Sequence, residues 1–231
     1  MKDNRVSVIV PVFNGERYLA AALQSVLEQT QPAAEVIVID DGSTDGSAAI
    51  ARGFGAAVRY ECQSRRDSPD ASRNRGVELA RGEYLAFLDQ DDLWTRKKLQ
   101  LQVAACGADE ALDMVFGHVE QFLSPDLPVE TVRSMRYPTG VAPGRILSAM
   151  LVRRSAFLRV GWFLTCWQLS GFVDWYARAS ELHLKEIMLS HIVARRRIHA
   201  ANLNIVRRAA QIDYVRAVKA SLDRRRAHHN N

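Results

Sequence analysis

Carboxylates are concentrated in two short segments of the chain, residues 40–45 and residues 89–92. In the second segment, three carboxylates fall within four residues. Asp89 and Asp91, two positions apart on a turn, can direct oxygen atoms at one hard cation such as Mg²⁺ or Mn²⁺. Capping of a following helix by Asp91 or Asp92 is the structural alternative, but one carboxylate is enough for a cap. The pattern therefore favours a divalent-metal site.

Other common metal sites are excluded by the residues around this segment. An EF-hand calcium loop needs an oxygen ligand and then a glycine at the positions taken here by Leu93 and Trp94. The cysteines at positions 62, 106 and 166 are odd in number and contain no Cys-x-x-Cys pair. This spacing argues against a zinc site and against a disulfide framework.

The two acidic segments follow apolar runs that predict buried strands of a parallel sheet. Strands are predicted at residues 6–12, 35–39, 58–61 and 84–88. Helical spacing after a cap at Asn14, and the Ser68-Pro69 pair, predict helices between them. Strands that alternate with helices indicate an α/β, doubly wound sheet, whose ligands bind beyond the carboxyl ends of the strands. Both acidic segments fall on that edge.

The second half of the chain has a weaker pattern. A helix at residues 93–105 should follow the second acidic segment directly. Four prolines between residues 125 and 143 predict a long, irregular and mobile loop after Met114. A strand at 148–152, a helix at 174–182, a strand at 187–193 and a terminal helix from Ile212 complete the prediction.

Length and charge set the remaining limits. The 231 residues fit a single domain, and the net charge of +5 comes with arginine clusters at 195–197, 207–208 and 224–226. These clusters suit a nucleotide diphosphate, an acidic membrane surface or RNA; the alternative for the last cluster is a solvated helix end. Neither a signal peptide nor an apolar run of about 20 residues is found. We expect a cytoplasmic protein.

Four ordered segments resemble the successive signatures of family 2 glycosyltransferases. They are VSVIVPVFN at residues 6–14, VIDDGSTD at 38–45, SRNRG at 72–76 and AFLDQDDLW at 86–94. The resemblance is strong over residues 5–105 and weaker around 153–161, 172–178 and 196–202. It implies the GT-A fold, the doubly wound and mostly parallel sheet of nucleotide-diphospho-sugar transferases.

The resemblance also implies an activity and its partners. The implied reaction is an inverting transfer from a nucleoside-diphosphate sugar, with a UDP-sugar favoured, and with Mn²⁺ or Mg²⁺ as cofactor. The implied acceptor is a hydroxyl of a saccharide, a lipid-linked saccharide or a peptide. Residues 1–118 would form the nucleotide-sugar-binding half and residues 119–231 the acceptor half. We expect no nucleic-acid partner, peripheral contact with the inner face of the membrane at most, and a chain able to form a homodimer.

Transferred by position, the resemblance assigns the donor site. Pro11 and Phe13 would flank the nucleobase, Asp41 would accept a hydrogen bond from a uracil-type ring, and Asp89 would approach the ribose. Arg73 would lie against the base or the diphosphate; the alternative is a solvent-facing charge on a helix. Further residues implied in nucleotide-sugar binding are Asn14, Gln90 and Arg196. Asp40 is open to a ligand-binding or a purely structural role.

The metal and the catalytic base are also implied by position. Asp91 would be the principal metal ligand, Asp89 would lie beside it, and His199 would complete the metal shell. The alternative for His199 is a structural or solvated histidine. Asp174 would be the general base that deprotonates the acceptor. Its alternative role is an ordinary N-cap.

Departures from the family pattern leave the sugar undefined. Ser68 stands where the family has glycine, Asp70 where a small residue is common, and Val173 where a carboxylate often precedes the base. An inactive nucleotide-sugar-binding module, or a partner subunit of the same fold, is the alternative function. A sugar nucleotidyltransferase or a Rossmann dehydrogenase is disfavoured because no glycine-rich phosphate loop follows the first strand.

Overall fold

The fold of the chain is a mixed sheet with helices on both faces. A computed structural model describes residues 5–63, 68–125, 127, 130, 140–166, 171–200, 202 and 212–229. The strands are β1 (Val6–Val12), β2 (Glu35–Asp40), β3 (Arg59–Cys62), β4 (Tyr84–Phe87), β5 (Leu93–Trp94), β6 (Met114–Leu123), β7 (Gly140–Gly144), β8 (Leu151–Arg153) and β9 (Glu186–Ile198). The helices are α1 (Leu19–Leu27), α2 (Ser47–Gly53), α3 (Pro69–Leu79), α4 (Lys98–Ala108), α5 (Arg154–Val160), α6 (Gly171–Glu181) and α7 (Ile212–His229).

The first half of the sheet is parallel, as the sequence predicted. β1 lies between β2 and β4, and β3 pairs with β2, all in parallel. Every residue of β1 is buried, because helices cover both faces of this part of the sheet. Ser7 is the polar exception in β1, and its hydroxyl accepts from the backbone N–H of Gly82 at 2.8 Å. A buried polar group is thereby satisfied within the strand.

The second half of the sheet is mixed. The full strand order is β3-β2-β1-β4-β8-β6-β9-β5, with β7 added to β6. β8 pairs antiparallel with both β4 and β6, and β5 pairs antiparallel with β9, whereas β6 and β9 are parallel. The carboxyl ends of β1, β2, β4, β6 and β9 consequently lie along the same edge, which is the edge that carries the acidic segments.

Two apolar cores cover the two faces of the sheet. Alternate residues of β1 serve them, with Val8 in one core and Ile9 in the other. Gly76 lets α3 approach β1 closely, because a Cβ atom there would lie 2.4 Å from a methyl carbon of Ile9. Phe157 and Trp175 stack at 5.2 Å in the second core, which joins α5 to α6.

Two predictions for the region after Asp92 are wrong. The helix predicted at 93–105 begins only at Lys98, because Leu93–Trp94 pairs with β9 as a short strand. The region after Met114 is not an irregular loop at its start, since β6 is a ten-residue strand, and Gly140–Gly144 pairs with it as β7. The rest of that predicted loop, residues 126, 128, 129 and 131–139, lies outside the described residues.

Asn14 does not cap a helix. Helix α1 begins five residues later at Leu19, and Asn14 has a positive φ of 48°. Its side-chain oxygen accepts from the backbone N–H of Thr44 at 2.9 Å, and its own N–H donates to the hydroxyl of Ser43. Asn14 therefore joins the end of β1 to the acidic turn after β2, and it tolerates the left-handed conformation well.

Candidate active site

The turn formed by residues 89–92 is fixed to the end of β1 by Gln90. The Gln90 amide donates to the backbone oxygen of Phe13 at 3.1 Å and accepts from its N–H at 2.8 Å. A Cβ atom at Gly15 would lie 2.5 Å from the Gln90 side chain, so this close approach requires glycine. Gln90, predicted to bind the nucleotide sugar, thus binds the backbone of Phe13, the residue predicted to flank the nucleobase.

Asp89 is held by Arg73, which also binds Asp70. The Arg73 guanidinium donates to Asp89 at 2.6 Å and to Asp70 at 2.8 Å. Burial alone would lower the pKa of Arg73, but the charges of Asp89 and Asp70 outweigh it and raise the pKa. Arg73 therefore stays charged, and it is no solvent-facing residue, because its side chain is 12% exposed. Its Nε has no hydrogen-bond partner among the described residues.

Asp91 meets the residues that follow β9. One of its carboxylate oxygens lies 2.9 Å from the Nε2 of His199 and 3.3 Å from the amide nitrogen of Asn202. Both side chains keep some surface, 23% for Asp91 and 10% for His199. The structure thus brings together two of the three predicted metal ligands, from turns more than 100 residues apart in sequence.

Asp92 is the structural carboxylate of the turn. It is buried, and its two oxygens accept from the hydroxyl of Ser148 at 2.8 Å and from the backbone N–H of Arg197 at 3.1 Å. Burial and the charges of Asp91 and Asp89 raise the pKa of Asp92 well above its ordinary value. Asp92 caps no helix, and it fastens the turn to β9 instead.

Arg197 contacts the site, whereas the predicted Arg196 does not. The Arg197 Nε donates to the backbone oxygen of Asp91 at 3.1 Å, and the guanidinium lies 4.7 Å from the ring centres of Tyr18 and Phe122. Side chains alternate along a strand, so Arg196 faces the opposite side of the sheet. The sequence contained this signal, because Arg197 and His199 lie two residues apart and share a face.

The residues predicted around the nucleobase lie at the end of β1 and in the turn after β2. Asp41 is buried, its N–H donates to the oxygen of Val12 at 2.8 Å, and its carboxylate lies 3.5 Å from the amide of Gln63. Pro11 is buried within β1. Asp40 has a structural role, since it accepts from the hydroxyl of Tyr60 at 2.6 Å and from a turn amide.

Asp174 lies in a different environment from the other predicted residues. It is fully buried in the first turn of α6, so it is not an N-cap. Its carboxylate accepts from Arg178 at 2.9 Å and from Arg224 of α7 at 3.2 Å. Arg224 also binds Glu181. The carboxylate that should face the acceptor is therefore enclosed by two guanidinium groups between α6 and α7.

The acidic turn can hold a metal only with help from a ligand. Within the described part of the chain, no three His, Cys, Asp or Glu side chains are grouped to hold an ion. Asp91 and His199 form a pair, with Asp89 bound to Arg73 beside them. Mg²⁺ typically uses one or two carboxylates and completes its shell with substrate phosphates and water. The residues fit a cation of that type, and the imidazole suits Mn²⁺ as well.

Comparison with known proteins identifies relatives of the first two thirds of the chain. The model of the family described as Glycosyl transferase family 2 matches residues 7–161. An "Uncharacterized glycosyltransferase" of Rickettsia felis is 37% identical over 120 residues, which are 51% of this chain and 19% of that protein. "Glycosyltransferase GlyG" of Streptococcus pneumoniae is 31% identical over 124 residues, 52% of this chain and 41% of that one.

Solved structures show the same fold. S. aureus TarS 1-349 superimposes with a TM-score of 0.65 at 23% identity, covering 84% of this chain and 60% of that one. Its complex with UDP-GlcNAc gives a TM-score of 0.66 at 21% identity, over 86% and 60%. The chain thus spans about a fifth to three fifths of the proteins compared. No helix among the described residues is long and apolar enough to cross a bilayer.

Proposed function

The chain belongs to glycosyl transferase family 2, and we propose that it transfers a sugar from a nucleoside-diphosphate sugar to a hydroxyl acceptor. One observation carries the proposal. Asp91 and His199 meet at the carboxyl edge of the sheet, beside the Asp89–Arg73 pair. Two carboxylates, an imidazole and a buried guanidinium in one place suit a metal-bound diphosphate better than any neutral ligand.

Uridine is the nucleobase that we propose for the donor. The support is twofold: TarS, which shares the fold, has been crystallised with UDP and with UDP-GlcNAc, and Asp41 occupies the family position for a uracil contact. Asp41 is buried at the end of β2 next to Gln63, which also binds Ser72 at the start of α3. A base bound here would lie near Ser72, the residue that precedes Arg73 in the chain.

A divalent cation would be held by Asp91 and His199, with Asp89 nearby. When bound, the ion neutralises the charge that develops on the leaving diphosphate. The protein contributes the orientation of these ligands, since Gln90, Asp92 and Arg197 fix the turn at three backbone or side-chain positions. Such outer contacts tune metal affinity as strongly as some direct ligands do.

For the acceptor half, we retain Asp174 as the proposed general base. A base on the far side of the anomeric carbon from the diphosphate would give a single displacement, and hence inversion. For this role its carboxylate must exchange the contact with Arg224 for an acceptor hydroxyl. The acceptor's identity, the cytoplasmic location and a homodimer stay predictions.

The alternative function is a nucleotide-sugar-binding module without transfer activity. The observation that favours it is the enclosure of Asp174, which is fully buried and paired with two arginines. Each of its two carboxylate oxygens already accepts a hydrogen bond from an arginine, so the acceptor hydroxyl would have to displace one of them. Both functions share the donor site, so they differ in turnover and not in nucleotide binding.

Calorimetry with UDP tests the donor site. We expect UDP to bind in the presence of Mn²⁺ or Mg²⁺ and to lose most of its affinity when a chelator is added. Asp91→Ala should reproduce that loss, about tenfold or more, without unfolding the protein. Asp109→Ala, which changes an exposed carboxylate after α4, is the matched control and should bind normally. Equal affinity with and without chelator would contradict the metal assignment.

A further inference from the structure

We infer that Asp70 is a positioning residue that joins the donor site to helix α6, by holding Arg73 with one oxygen while packing the other on Gly171. The inference rests on the proposed function, since Arg73 is part of the proposed donor site. Asp70 lies in the first turn of α3, and Gly171 is the first residue of α6. Contact between these residues links the two helices that carry Arg73 and Asp174.

Asp70 is placed to control Arg73. It is 5% exposed, and one oxygen accepts from Arg73 at 2.8 Å, while Asp89 takes the other end of the guanidinium at 2.6 Å. Arg73 therefore forms ion pairs with a buried carboxylate, Asp70, and a half-exposed one, Asp89. Its Nε is buried and has no partner in the described part of the chain, so an incoming acceptor atom reaches the guanidinium through the 12% of the side chain that is exposed. A phosphate or ribose oxygen has the required chemistry.

Gly171 limits where Asp70 can lie. A Cβ atom at position 171 would lie 1.8 Å from one Asp70 oxygen and 2.6 Å from its carboxyl carbon. An added methyl group must therefore displace the Asp70 carboxylate. Because that carboxylate is buried and bonded to Arg73, its displacement would disturb the bond to the guanidinium. A change at the start of α6 would thus reach the donor site through a single side chain.

Asp89 cannot replace Asp70 in this role. The Asp89 side chain is 39% exposed and lies on the turn beside the proposed metal ligands. Without Asp70, the Arg73 guanidinium would retain only this partner, whose charge is also needed near the metal. We therefore assign two effects to Asp70. It holds Arg73 in position for the nucleotide, and it lets the charge of Asp89 serve the metal site.

A double-substitution experiment tests this coupling. UDP affinity is measured by calorimetry with Mn²⁺ for wild type, Asp70→Ser, Gly171→Ala and the double variant. Each single substitution should weaken binding by about tenfold, the loss of one charge-assisted hydrogen bond. In the Asp70→Ser background, Gly171→Ala should change affinity by less than about twofold, because the clashing oxygen is gone. Additive losses would overturn the inference.

A control and a second readout separate this inference from the proposed function. Gly107→Ala adds a methyl group in α4 where no atom lies within 4 Å, and it should leave UDP affinity unchanged. The Arg73 side-chain N–H signal, identified by NMR with Arg73→Lys, should exchange faster with solvent in both single variants, without any nucleotide. If Asp70→Ser does not fold, Asp70→Asn replaces it and should show a smaller increase in the exchange rate of the Arg73 N–H. Wild-type protein that binds no UDP contradicts the proposed function alone, whereas unchanged Arg73 exchange overturns the inference.

Discussion

At the scale of single residues, the acidic turn gives each carboxylate a different task. Asp89 pairs with Arg73, Asp91 meets an imidazole, and Asp92 is buried on a hydroxyl and a backbone N–H. The charge of Asp92 is unfavourable because the carboxyl is buried and lies beside Asp91 and Asp89, as its raised pKa indicates. The turn is held in place by hydrogen bonds to other elements, and Asp89 and Asp91 keep exposed surface with which they can face a ligand.

Arg196 and Arg197 provide a comparison between adjacent residues of the same type. Arg197→Ala should lower the Mn²⁺-dependent affinity for UDP by roughly 10- to 100-fold, because it removes the bond to the backbone of Asp91. Arg196→Ala should leave that affinity close to wild type, since its side chain faces the other side of the sheet. Titration of UDP at several Mn²⁺ concentrations measures both. Equal losses would contradict the assignment of Arg197.

The residue types of the site could be predicted from the sequence, but the partner of each residue could not. Motifs predict Asp89, Asp91 and His199 as metal ligands; in the structure Asp91 meets His199, whereas Asp89, on the same turn, is bound to Arg73. The resemblance implies Arg196 in nucleotide-sugar binding, whereas Arg197 contacts the turn. A run of arginines does not reveal which residue faces the site. The facing residue depends on the register of β9 beside β6, which is set by distant contacts.

At the scale of elements, locally determined segments were predictable and paired ones were not. β1 is an apolar run broken only by Ser7, and α3 has a serine cap followed by proline, so both follow from local sequence. The strand Leu93–Trp94 has only two residues and exists because β9 lies beside it. The region after Met114 contains two paired strands that its prolines did not indicate. One of them, β7, includes Pro143, and proline is tolerated in such a short strand at the edge of a sheet.

Helix α4 contains a buried lysine that should make stability depend on pH. Lys98 is fully buried, it donates to Gln102 and to the oxygen of Met150, and burial lowers its pKa well below the ordinary value. Between the lowered pKa and about 10.4, the unfolded chain binds more protons than the folded one. The free energy of unfolding should therefore rise with pH in that window, by at most about 1.4 kcal/mol per pH unit.

Substitution of Lys98 by methionine should remove this dependence. Denaturant unfolding of wild type and Lys98→Met at pH 7, 8.5 and 10 measures the difference between their free energies of unfolding. The free energy of unfolding of the wild type should increase relative to that of the variant as the pH rises. Lys97→Met changes the exposed neighbouring lysine and should run parallel to the wild type. A constant difference between wild type and Lys98→Met would show that Lys98 keeps its proton equally well in both states.

At the scale of the whole molecule, polar contacts join the segment around Arg73 to the residues between α5 and α6. Asn74, directly after Arg73, binds both backbone groups of Phe163, at 2.9 and 3.0 Å. Arg178 of α6 donates to the backbone oxygens of Val160 and Trp162. These bonds connect α3, the segment after α5, and α6. A motif that resembles a donor-site signature thus also fixes the position of the helix that carries the proposed base.

Helix α7 completes this arrangement, because Arg224 bonds to both Asp174 and Glu181 of α6. Two substitutions break its bond to Asp174 from opposite sides. Asp174→Asn removes the carboxylate proposed as base, whereas Arg224→Ala leaves it in place and removes one of its two cations. Both variants are expected to lower Tm, since each weakens the contact between α6 and α7. They differ in what they predict for catalysis.

Hydrolysis of UDP-GlcNAc, with water in place of the unknown acceptor, distinguishes a base from an anchor. If Asp174 is the base, Asp174→Asn should lower the hydrolysis rate by roughly 10²- to 10⁴-fold while UDP affinity is retained. Arg224→Ala should preserve or raise the rate, because it leaves one carboxylate oxygen of Asp174 without its arginine partner and open to the incoming hydroxyl. If Asp174 serves only to hold α6 against α7, both variants should lose activity in proportion to their loss of folded protein. Equal rates in the two variants, after correction for that fraction, would remove Asp174 from the mechanism and leave the binding module as the function.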